Sequence, residues 1–533
     1  MRIMQASILC AVLALTACTP AMTDQAAPVT TRTAVAPSEA SDPWYRSGED
    51  ALQSALARKV SDAPARNVII FIGDGMSLST VTAARILEGQ LRGQSGEENA
   101  LSFEHLPWVG LSKTYSVNAQ VPESASTASA MLTGVKTKSD VLGVNEDITP
   151  DDCASGLAHS IPTLLELAED AGFASGVVTT TRITHATPAA AYAHTANREW
   201  EADVDLPANA TGCKDIARQL VEFAHGDGID VALGGGRREF LPAETIDPED
   251  PASFGVRHDG RNLTDEWVRR YGGRGGYVWN ASQLAAIDPG RVQHLLGLFE
   301  PSHMRYEVDR AKDLAGEPSL TEMTRAAIGL LQRRSDKGFF LLVEGGRIDQ
   351  AHHEGNAYRA LHDTIEFSNA VAAAVQMTNA ADTLIVATAD HGHVFDIGGY
   401  PVRGNPILGK VRSYGVDGNP EADVSRDLLG LPYTTLYYAN GPGYIGASDQ
   451  QPEGVKHHLH EPSSVTAACG RPDLSAVDTT APDFLQEALV PLDAETHSGT
   501  DVPVYASGPA AHLLTGSYEQ NYIFHVMRHA LRL

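Results

Sequence analysis

Five short apolar segments rich in β-forming residues constrain what this 533-residue chain can fold into. They cover residues 67–72, 176–180, 229–233, 339–343 and 383–387. Helical patterns lie between them, for example at residues 161–170 and 320–333. Strands that alternate with helices predict an α/β fold, with a doubly wound, mostly parallel central sheet flanked by helices. Such sheets bind ligands at the carboxyl ends of their strands.

The segment at 339–343 ends in the most informative group of polar residues. Glu344 follows it directly, and Asp349 and His353 come after a Gly pair, four residues apart. On a helix that spacing places both side chains on one face. A buried strand that delivers acids and imidazoles at its carboxyl end is typical of a metal site. Taken alone, the segment is explained as readily by a helix-capping Asp followed by surface histidines.

Two further residues fit a site but have ordinary alternatives. Asp74 lies between two glycines after the first apolar segment, where a simple turn residue is also expected. Ser124 precedes a run of small residues, which suits a helix N-terminus that stabilises an anion beside an exposed hydroxyl. A plain N-capping serine explains Ser124 equally well.

The acid and imidazole pair Asp390 and His391 follows the last apolar segment, and such a pair at a strand end is rarely structural. The role of His393 is left open, because it can be explained as a neighbour of that pair with no part in a site. His497 lies in a predicted loop and would draw no attention by itself.

The formal net charge of −27 bears on possible ligands. Such a surface repels nucleic acid, and we expect no nucleic-acid-binding groove. An anionic substrate must therefore be attracted by local positive charge, such as bound cations or an arginine.

The N-terminus has the pattern of an export signal. Arg2 precedes an apolar stretch, and Leu15-Thr16-Ala17-Cys18 is similar to a lipobox, which predicts a signal peptide over 1–18 and a lipid on Cys18. An ordinary signal peptide cleaved nearby is the alternative. Both predict export, to the periplasm or to an outer-membrane anchor, with the lipid as the only membrane attachment. Residues 19–45 have the composition of a flexible tether.

The rest of the chain, 46–533, is predicted to be one domain. Residues 395–491 are rich in Gly, Pro, Asn and Asp, which indicates an insertion that forms a surface subdomain or a dimer contact. Cys153 and Cys213 are candidates for a disulfide in an oxidising compartment, and Cys469 is left over.

Together the motifs resemble the alkaline phosphatase family, in that family's order, from about residue 67 to the end. They are Gly73-Asp74-Gly75-Met76, Glu123-Ser124-Ala125, Thr184-His185-Ala186-Thr187-Pro188, His194-Thr195-Ala196-Asn197-Arg198, Val343-Glu344-Gly345-Gly346-Arg347-Ile348-Asp349 with His353, Thr388-Ala389-Asp390-His391 and Thr496-His497-Ser498-Gly499. Asp259-Gly260-Arg261-Asn262-Leu263 and Gly398-Gly399-Tyr400-Pro401-Val402-Arg403-Gly404 are closer to the animal-type branch. The implied fold has the insertion as a crown-like subdomain of the catalytic domain.

The resemblance implies hydrolysis of a broad range of phosphate monoesters through a phosphoserine, with activity that rises with pH, by a homodimer. Ser124 is the implied nucleophile and Arg198 the implied phosphate clamp, with Glu123, His185 and Gln350 beside the substrate. The implied metal ligands are Asp349, His353 and His497 for one zinc, Asp74, Asp390 and His391 for a second zinc, and Asp74, Thr187 and Glu344 for magnesium. A fourth, calcium site is implied at Glu300, the carbonyl of Phe299, Glu249 and Glu317; for Glu249 and Glu317 the alternative is that they are solvated surface acids.

Two positions depart from the family's pattern. Glu123 stands where Asp is usual, which puts the position of Arg198 in doubt. Gln350 stands where His or Lys is usual, which alters the surroundings of the phosphate. Phosphodiesterase or sulfatase activity, both found in the same superfamily, and a non-catalytic phosphate-binding lipoprotein stay as alternatives.

Overall fold

The computed structural model describes residues 37–208, 210–445, 447–448, 465–466 and 471–533. Its strands are β1 (Asn67–Gly73), β2 (Trp108–Lys113), β3 (Ala174–Arg182), β4 (Val231–Gly235), β5 (Gly275–Val278), β6 (His294–Leu298), β7 (Phe339–Gly345), β8 (Thr383–Ala389), β9 (Gly392–His393), β10 (Phe395–Ile397), β11 (Leu436–Gly441), β12 (Ala447–Ser448), β13 (Val465–Thr466), β14 (Glu487–Pro491), β15 (His497–Ser498), β16 (Val502–Ser507) and β17 (Gly516–Glu519).

The α-helices of the same residues connect these strands. They are α1 (Pro37–Ser41), α2 (Pro43–Leu56), α3 (Leu78–Leu91), α4 (Ser124–Thr133), α5 (Cys153–Ala158), α6 (Leu164–Asp170), α7 (Ala186–Ala189), α8 (Ile216–Val221), α9 (Leu263–Tyr271), α10 (Ala281–Ala285), α11 (Leu320–Leu331), α12 (Arg347–His353), α13 (Ala357–Met377) and α14 (Tyr522–Leu531).

Ten of the described strands form one sheet in the order β17-β2-β16-β8-β1-β7-β3-β4-β6-β5. Every neighbouring pair is parallel except the two pairs that involve β16. The five apolar segments of the sequence all lie in this sheet, as β1, β3, β4, β7 and β8. The predicted doubly wound, mostly parallel α/β fold is therefore confirmed.

The two faces of the sheet carry separate cores, which explains the continuous apolar segments. In β1 all seven residues are buried. Val68, Ile70 and Ile72 pack into one cluster, which includes residues of α4, α6 and α14. Ile69 and Phe71 point to the other face, into a cluster with residues of α3, α11 and α13. A strand with helices on both faces needs apolar side chains at every position.

The predicted insertion contains strands that do not join the large sheet. β10, β11 and β14 form a three-stranded sheet, and β12 pairs with β13. Both small sheets lie within residues 395–491, where the sequence predicts a surface subdomain.

The described chain divides into two compact units, one ending at Arg58 and one running from Lys59 to Leu533. In the first, α2 begins after Asp42, whose Oδ1 accepts a 2.8 Å hydrogen bond from Trp44 N. The helices α1 and α2 include residues 37–41 and 43–45 of the predicted tether. The predicted signal peptide, Cys18 and residues 19–36 lie outside the described residues.

Cys153 and Cys213 form a disulfide, which confirms the pairing considered from the sequence. It closes a loop across a sequence separation of 60 residues. Cys469 lies outside the described residues. In the described part of the chain, no helix combines the length and the apolar character needed to cross a bilayer.

Candidate active site

Three carboxylates lie together at the carboxyl ends of β1, β7 and β8, the centre of the sheet. Gly73 is in register with Ala389, so that Asp74 and Asp390 follow adjacent strands at the same level, and Glu344, within β7, is in register with Ile72, two residues before Asp74. All three are fully buried. Burial raises the pKa of Asp74 well above its usual range, and repulsion by Asp390, Asp349 and Glu344 raises it further. Burial also raises the pKa of Glu344 to about 7. Such a cluster suits bound cations.

A second group of ligand atoms converges on Asp349. The Nε2 atoms of His353 and His497 lie 3.4 and 3.3 Å from Asp349 Oδ1, and 3.0 Å from each other. The Nδ1 atom of His353 lies 2.6 Å from the carbonyl of Glu495, and that of His497 lies 2.8 Å from the carbonyl of Pro122. Because a carbonyl only accepts, both Nδ1 atoms carry the proton and both Nε2 lone pairs face Asp349. This is the tautomer that binds a metal.

His393, open as a mere neighbour in the sequence, lies in this group. Its Nε2 is 2.8 Å from Asp349 Oδ1, and its Nδ1 hydrogen-bonds the carboxylate of Glu495. Burial opposes protonation, but Glu495 and Asp349 raise the pKa of His393 to about 10. The hydrogen bond to Glu495 orients the His393 ring, and Asp349, His353, His393 and His497 together are close enough to hold one ion. Gly75, at φ 67°, leaves room for this ring, since a Cβ there would lie 2.3 Å from His393 Nε2.

Ser124 lies beside the second predicted metal group. Its Oγ is 3.4 Å from Asp74 Oδ1 and 3.2 Å from His391 Nε2. His391 Nε2 lies 3.4 Å from Asp74 Oδ1 and 3.3 Å from Asp390 Oδ2. The buried Nδ1 of His391 has no hydrogen-bond partner among the described residues. Asp74, Asp390 and His391 are close enough to share one ion.

The predicted magnesium ligands meet on the other side of Asp74. Thr187 Oγ1 lies 3.4 Å from Asp74 Oδ2. Glu344 accepts hydrogen bonds from Thr179 and Thr181 through Oε2, whereas its buried Oε1 has no partner among the described residues. Neither threonine was predicted from the sequence, although both lie in the Thr-rich end of β3. Gly346 must lack a side chain, because a Cβ would lie 2.2 Å from the Thr181 methyl group.

Glu123 and Arg198 form an ion pair beside the Ser124 hydroxyl. Glu123, rather than Ser124, caps α4, because its carboxylate accepts from Ala125 N and Ser126 N at 2.8 and 2.7 Å. Arg198 Nη1 lies 2.8 Å from Glu123 Oε2, and Arg198 Nη2 lies 2.9 Å from His185 Nε2. Burial alone would raise the pKa of Glu123, but Arg198 and the backbone N–H groups outweigh it and lower the pKa. The ion pair therefore forms despite the extra methylene.

Gln350 lies on α12 directly after Asp349, and its amide contacts His303 at 3.0 Å. His303 follows β6 by a few residues, and no pattern in the sequence marks it as part of a site.

A separate carboxylate group forms near the predicted fourth metal site. Ligand atoms of Glu249, Glu300 and Asp313 lie within 4.8 Å of one another. Asp313 was not predicted from the sequence. Burial raises the pKa of Glu249 to about 8, of Glu300 to about 7, and of nearby Glu317 to about 9. Glu317 instead accepts the Arg305 N–H at 3.1 Å, and Phe299 is buried immediately before Glu300.

Comparisons with known proteins agree with this geometry. The alkaline phosphatase family profile matches residues 65–533. The chain is 45% identical over 504 residues to a chicken (Gallus gallus) tissue-nonspecific alkaline phosphatase, covering 93% of this chain and 90% of that protein. It is 44% identical over 505 residues to the human (Homo sapiens) tissue-nonspecific isozyme, covering 93% of this chain and 89% of that protein.

Solved structures show the same fold. The alkaline phosphatase of Thermus thermophilus superposes with a TM-score of 0.61 at 25% identity, covering 91% of this chain and 95% of that one. The alkaline phosphatase of the Antarctic bacterium TAB5 superposes with a TM-score of 0.56 at 21% identity, covering 88% and 99%. The animal relatives confirm the resemblance to the animal-type branch, and the chain belongs to the alkaline phosphatase family.

Proposed function

We propose that this alkaline phosphatase hydrolyses phosphate monoesters with Ser124 as its nucleophile. The observation that carries the proposal is the position of the Ser124 hydroxyl. It lies within 3.4 Å of both Asp74 and His391, at the N-terminus of α4. Arg198 is held beside it by Glu123. A nucleophile, ligands for cations and an anion-binding helix end therefore meet at one point.

The donor atoms fit two zinc ions and one magnesium ion. Asp349, His353 and His497 would hold one zinc, and Asp74, Asp390 and His391 the other, because imidazole with carboxylate suits Zn²⁺. Asp74, Thr187 and Glu344 would hold magnesium, which prefers oxygen ligands. The buried Glu344 Oε1, which has no partner among the described residues, supports a cation beside Asp74. When bound, such ions offset phosphoryl charge and lower the pKa of the serine hydroxyl.

The protein's own groups account for the remaining steps. Ser124 Oγ passes its proton to water and attacks phosphorus. The bond from phosphorus to the ester oxygen breaks, that oxygen takes a proton from water and leaves as the alcohol, and a phosphoserine remains. Water then cleaves the phosphoserine and restores the hydroxyl. Arg198 binds two phosphoryl oxygens, and the α4 N–H groups stabilise their negative charge.

The alternative activities are not favoured. Every position predicted to bind a metal carries a residue that can do so, which argues against a non-catalytic phosphate-binding protein. Assays on p-nitrophenyl phosphate, its bis ester and the corresponding sulfate separate the monoesterase from a diesterase or sulfatase. An enzyme that prefers the bis ester or the sulfate would contradict the proposal.

Replacement of the nucleophile is the first test. We expect Ser124→Ala to lower kcat for p-nitrophenyl phosphate by roughly 10³-fold or more, because no phosphoserine can form. Mass spectrometry after acid quench should detect a phosphoserine in the wild type and none in the variant. Ser126→Ala is the control, because Ser126 Oγ only donates to the carbonyl of Glu123 on the same helix. Near-normal turnover of Ser124→Ala would exclude this nucleophile.

Metal binding should displace protons. Without a bound metal, burial raises the pKa of Asp74 and of Asp390, and raises that of Glu344 to about 7, so that these carboxyls hold protons at a pH at which ordinary carboxyls have lost them. We expect zinc and magnesium binding to release protons at about pH 6 and fewer at about pH 9. Calorimetric titration in buffers of different ionisation enthalpy measures this. Equal proton release at both pH values would count against a cation site at these carboxylates.

We propose that Glu249, Glu300 and Asp313, with Glu317 and the Phe299 carbonyl nearby, hold calcium. The buried carboxylates repel one another without a cation, and Ca²⁺ prefers such oxygen ligands. Calcium should raise the melting temperature of the wild type and do so much less in Asp313→Asn. Glu244→Gln, which removes an exposed acid, is the control. An equal effect of calcium on wild type and Asp313→Asn would refute the role of Asp313.

We further propose that the chain is exported, acts as a homodimer, and is anchored by a lipid on Cys18 to the outer membrane. The lipobox-like sequence supports the anchor, and family membership supports export and the homodimer. Light scattering of the purified protein tests the homodimer, and mass spectrometry of its N-terminal peptide tests the lipid on Cys18. A monomer, or an unlipidated mature N-terminus, would contradict the respective proposal.

A further inference from the structure

The backbone of Asp140 has a left-handed conformation, with φ 66°. Most side chains disfavour this region because Cβ crowds the backbone, and Asp is one of the few residues that adopt it at moderate cost. The Asp140 side chain is exposed. Its backbone N–H donates to Glu123 Oε1 at 3.0 Å, and its C=O accepts from Arg198 N at 2.8 Å. One residue therefore holds both members of the ion pair beside Ser124.

The Glu123 carboxylate uses its full capacity as an acceptor. Oε1 accepts from Ser126 N and Asp140 N, at 2.7 and 3.0 Å. Oε2 accepts from Ala125 N and Arg198 Nη1, both at 2.8 Å. Two carboxylate oxygens offer about four acceptor sites, so each site has one donor. Rotation of the carboxylate toward one donor weakens its contact with another, which fixes the carboxylate between α4 and Arg198.

The segment from 139 to 142 is anchored at both ends by other contacts. At one end, Ser139 N donates to Asn118 Oδ1 at 2.9 Å. At the other end, Leu142 and Thr195 exchange two backbone hydrogen bonds of 3.0 Å, which joins the segment to the loop that leads to the phosphate clamp. Because both ends are held, the middle of the segment cannot follow an acceptor that moves away.

The length of the Glu123 side chain matches this arrangement. An Asp side chain is shorter by one carbon–carbon bond, roughly 1.5 Å. From the same backbone its carboxylate can still cap α4, but it leaves the Asp140 N–H beyond hydrogen-bond distance. The φ of Asp140 matters for the same reason. Rotation about its N–Cα bond turns the N–H away from Glu123 while the C=O stays with Arg198, so the two contacts coexist only near the observed φ.

We propose that Asp140 is a positioning residue for the phosphate clamp, and that its left-handed backbone is matched to Glu123, so that Glu rather than the usual Asp holds Arg198 in this chain. The inference rests on the proposed phosphatase function. Asp140 acts through the Glu123 carboxylate and the Arg198 backbone. The family's usual residue at position 123 should therefore weaken phosphate binding here.

Glu123→Asp is the first test, on the zinc- and magnesium-loaded enzyme. We expect it to raise the inhibition constant of inorganic phosphate and the KM for p-nitrophenyl phosphate by about tenfold, the effect of one lost charge-assisted hydrogen bond. The kcat should change by less than about threefold, because Arg198 binds the phosphoryl group both before and during the reaction. A rise in the inhibition constant of less than about twofold would overturn the match between positions 123 and 140.

Three replacements of Asp140 separate the backbone from the side chain. Asp140→Gly, Asp140→Asn and Asp140→Val all remove the charge, but Gly and Asn accept a left-handed backbone and the β-branched Val resists it. Gly and Asn should leave the phosphate inhibition constant within about twofold of the wild type, and Val should raise it by about tenfold relative to Gly. A Gly variant as impaired as the Val variant would overturn the inference.

The double variant of Glu123→Asp and Asp140→Val tests whether the two residues act together. Because both changes break the same hydrogen bond, the combined effect should fall well below the product of the single effects. Single effects that multiply would overturn the inference. Arg532→Val is the control for strain, because Arg532 has φ 60° and contacts Asp62, before the start of β1, whereas the site follows the end of β1. An equal rise in the phosphate inhibition constant of Arg532→Val would refute a local role of Asp140.

Hydrogen exchange of the metal-free protein measures the contact without turnover. A peptide that covers residues 139–142 should exchange faster in Glu123→Asp and Asp140→Val than in the wild type and Asp140→Gly. If Asp140→Val does not fold, Glu123→Asp decides alone, and unchanged exchange in that variant would refute the contact. A wild type that does not hydrolyse p-nitrophenyl phosphate would instead defeat the proposed function, which the exchange measurement does not depend on.

Discussion

Repulsion between buried carboxylates is the constraint on which the site depends. The register of β8, β1 and β7 places Asp390, Asp74 and Glu344 side by side, and the apolar cores on both faces of the sheet fix that register. Two unit charges 4 Å apart repel by about 4 kcal/mol at an effective dielectric constant of 20. The sheet cannot shift to relieve this, because a slip of one residue would exchange the side chains that the two cores pack around. The charge can then be lowered only by bound protons or bound cations. The raised pKa values of Asp74 and Glu344 show that these carboxylates take up protons readily when no cation is bound.

The parts of the structure that sequence patterns predict are those encoded locally. Buried strands must be apolar at each position, so the strands of the sheet can be predicted from the sequence. The polar residues of a site follow the carboxyl ends of such strands or belong to short motifs, which allows the prediction of residues such as Asp74, Ser124, Asp349 and Asp390. The missed residues act across long separations. His393 and Glu495 meet across 102 positions, and Gln350 and His303 across 47. No local period marks such pairs, because each depends on where two loops end in space. Asp313 was missed for the same reason, since it joins Glu249 and Glu300 from a separate loop.

The substitution of Glu for Asp at position 123 shows how a site absorbs a change in length. Both carboxylate oxygens of Glu123 accept backbone N–H groups at the start of α4, and Oε1 also accepts the Asp140 N–H at 3.0 Å. The longer side chain thus turns back onto its own helix and still reaches Arg198 at 2.8 Å. The cap and the ion pair share one carboxylate, so the helix end that is to stabilise phosphoryl charge and the arginine that is to bind it are positioned together.

The insertion helps to position the candidate metal ligands around Asp349. Its strand β11 ends at Asn440 and Gly441, and Asn440 exchanges two hydrogen bonds with Thr496, at 2.9 and 3.0 Å. The segment that Asn440 holds carries Glu495 and His497. Glu495 fixes His353 through its carbonyl and His393 through its carboxylate, and His497 is itself a candidate ligand. Gly441 allows the end of β11 to approach Glu495 closely, because a Cβ at Gly441 would lie 3.0 Å from the Glu495 Cβ. The orientation of the three imidazoles around Asp349 therefore depends on where the insertion returns the chain to the sheet, and the segment after it, an ordinary loop by sequence, carries the candidate ligand His497.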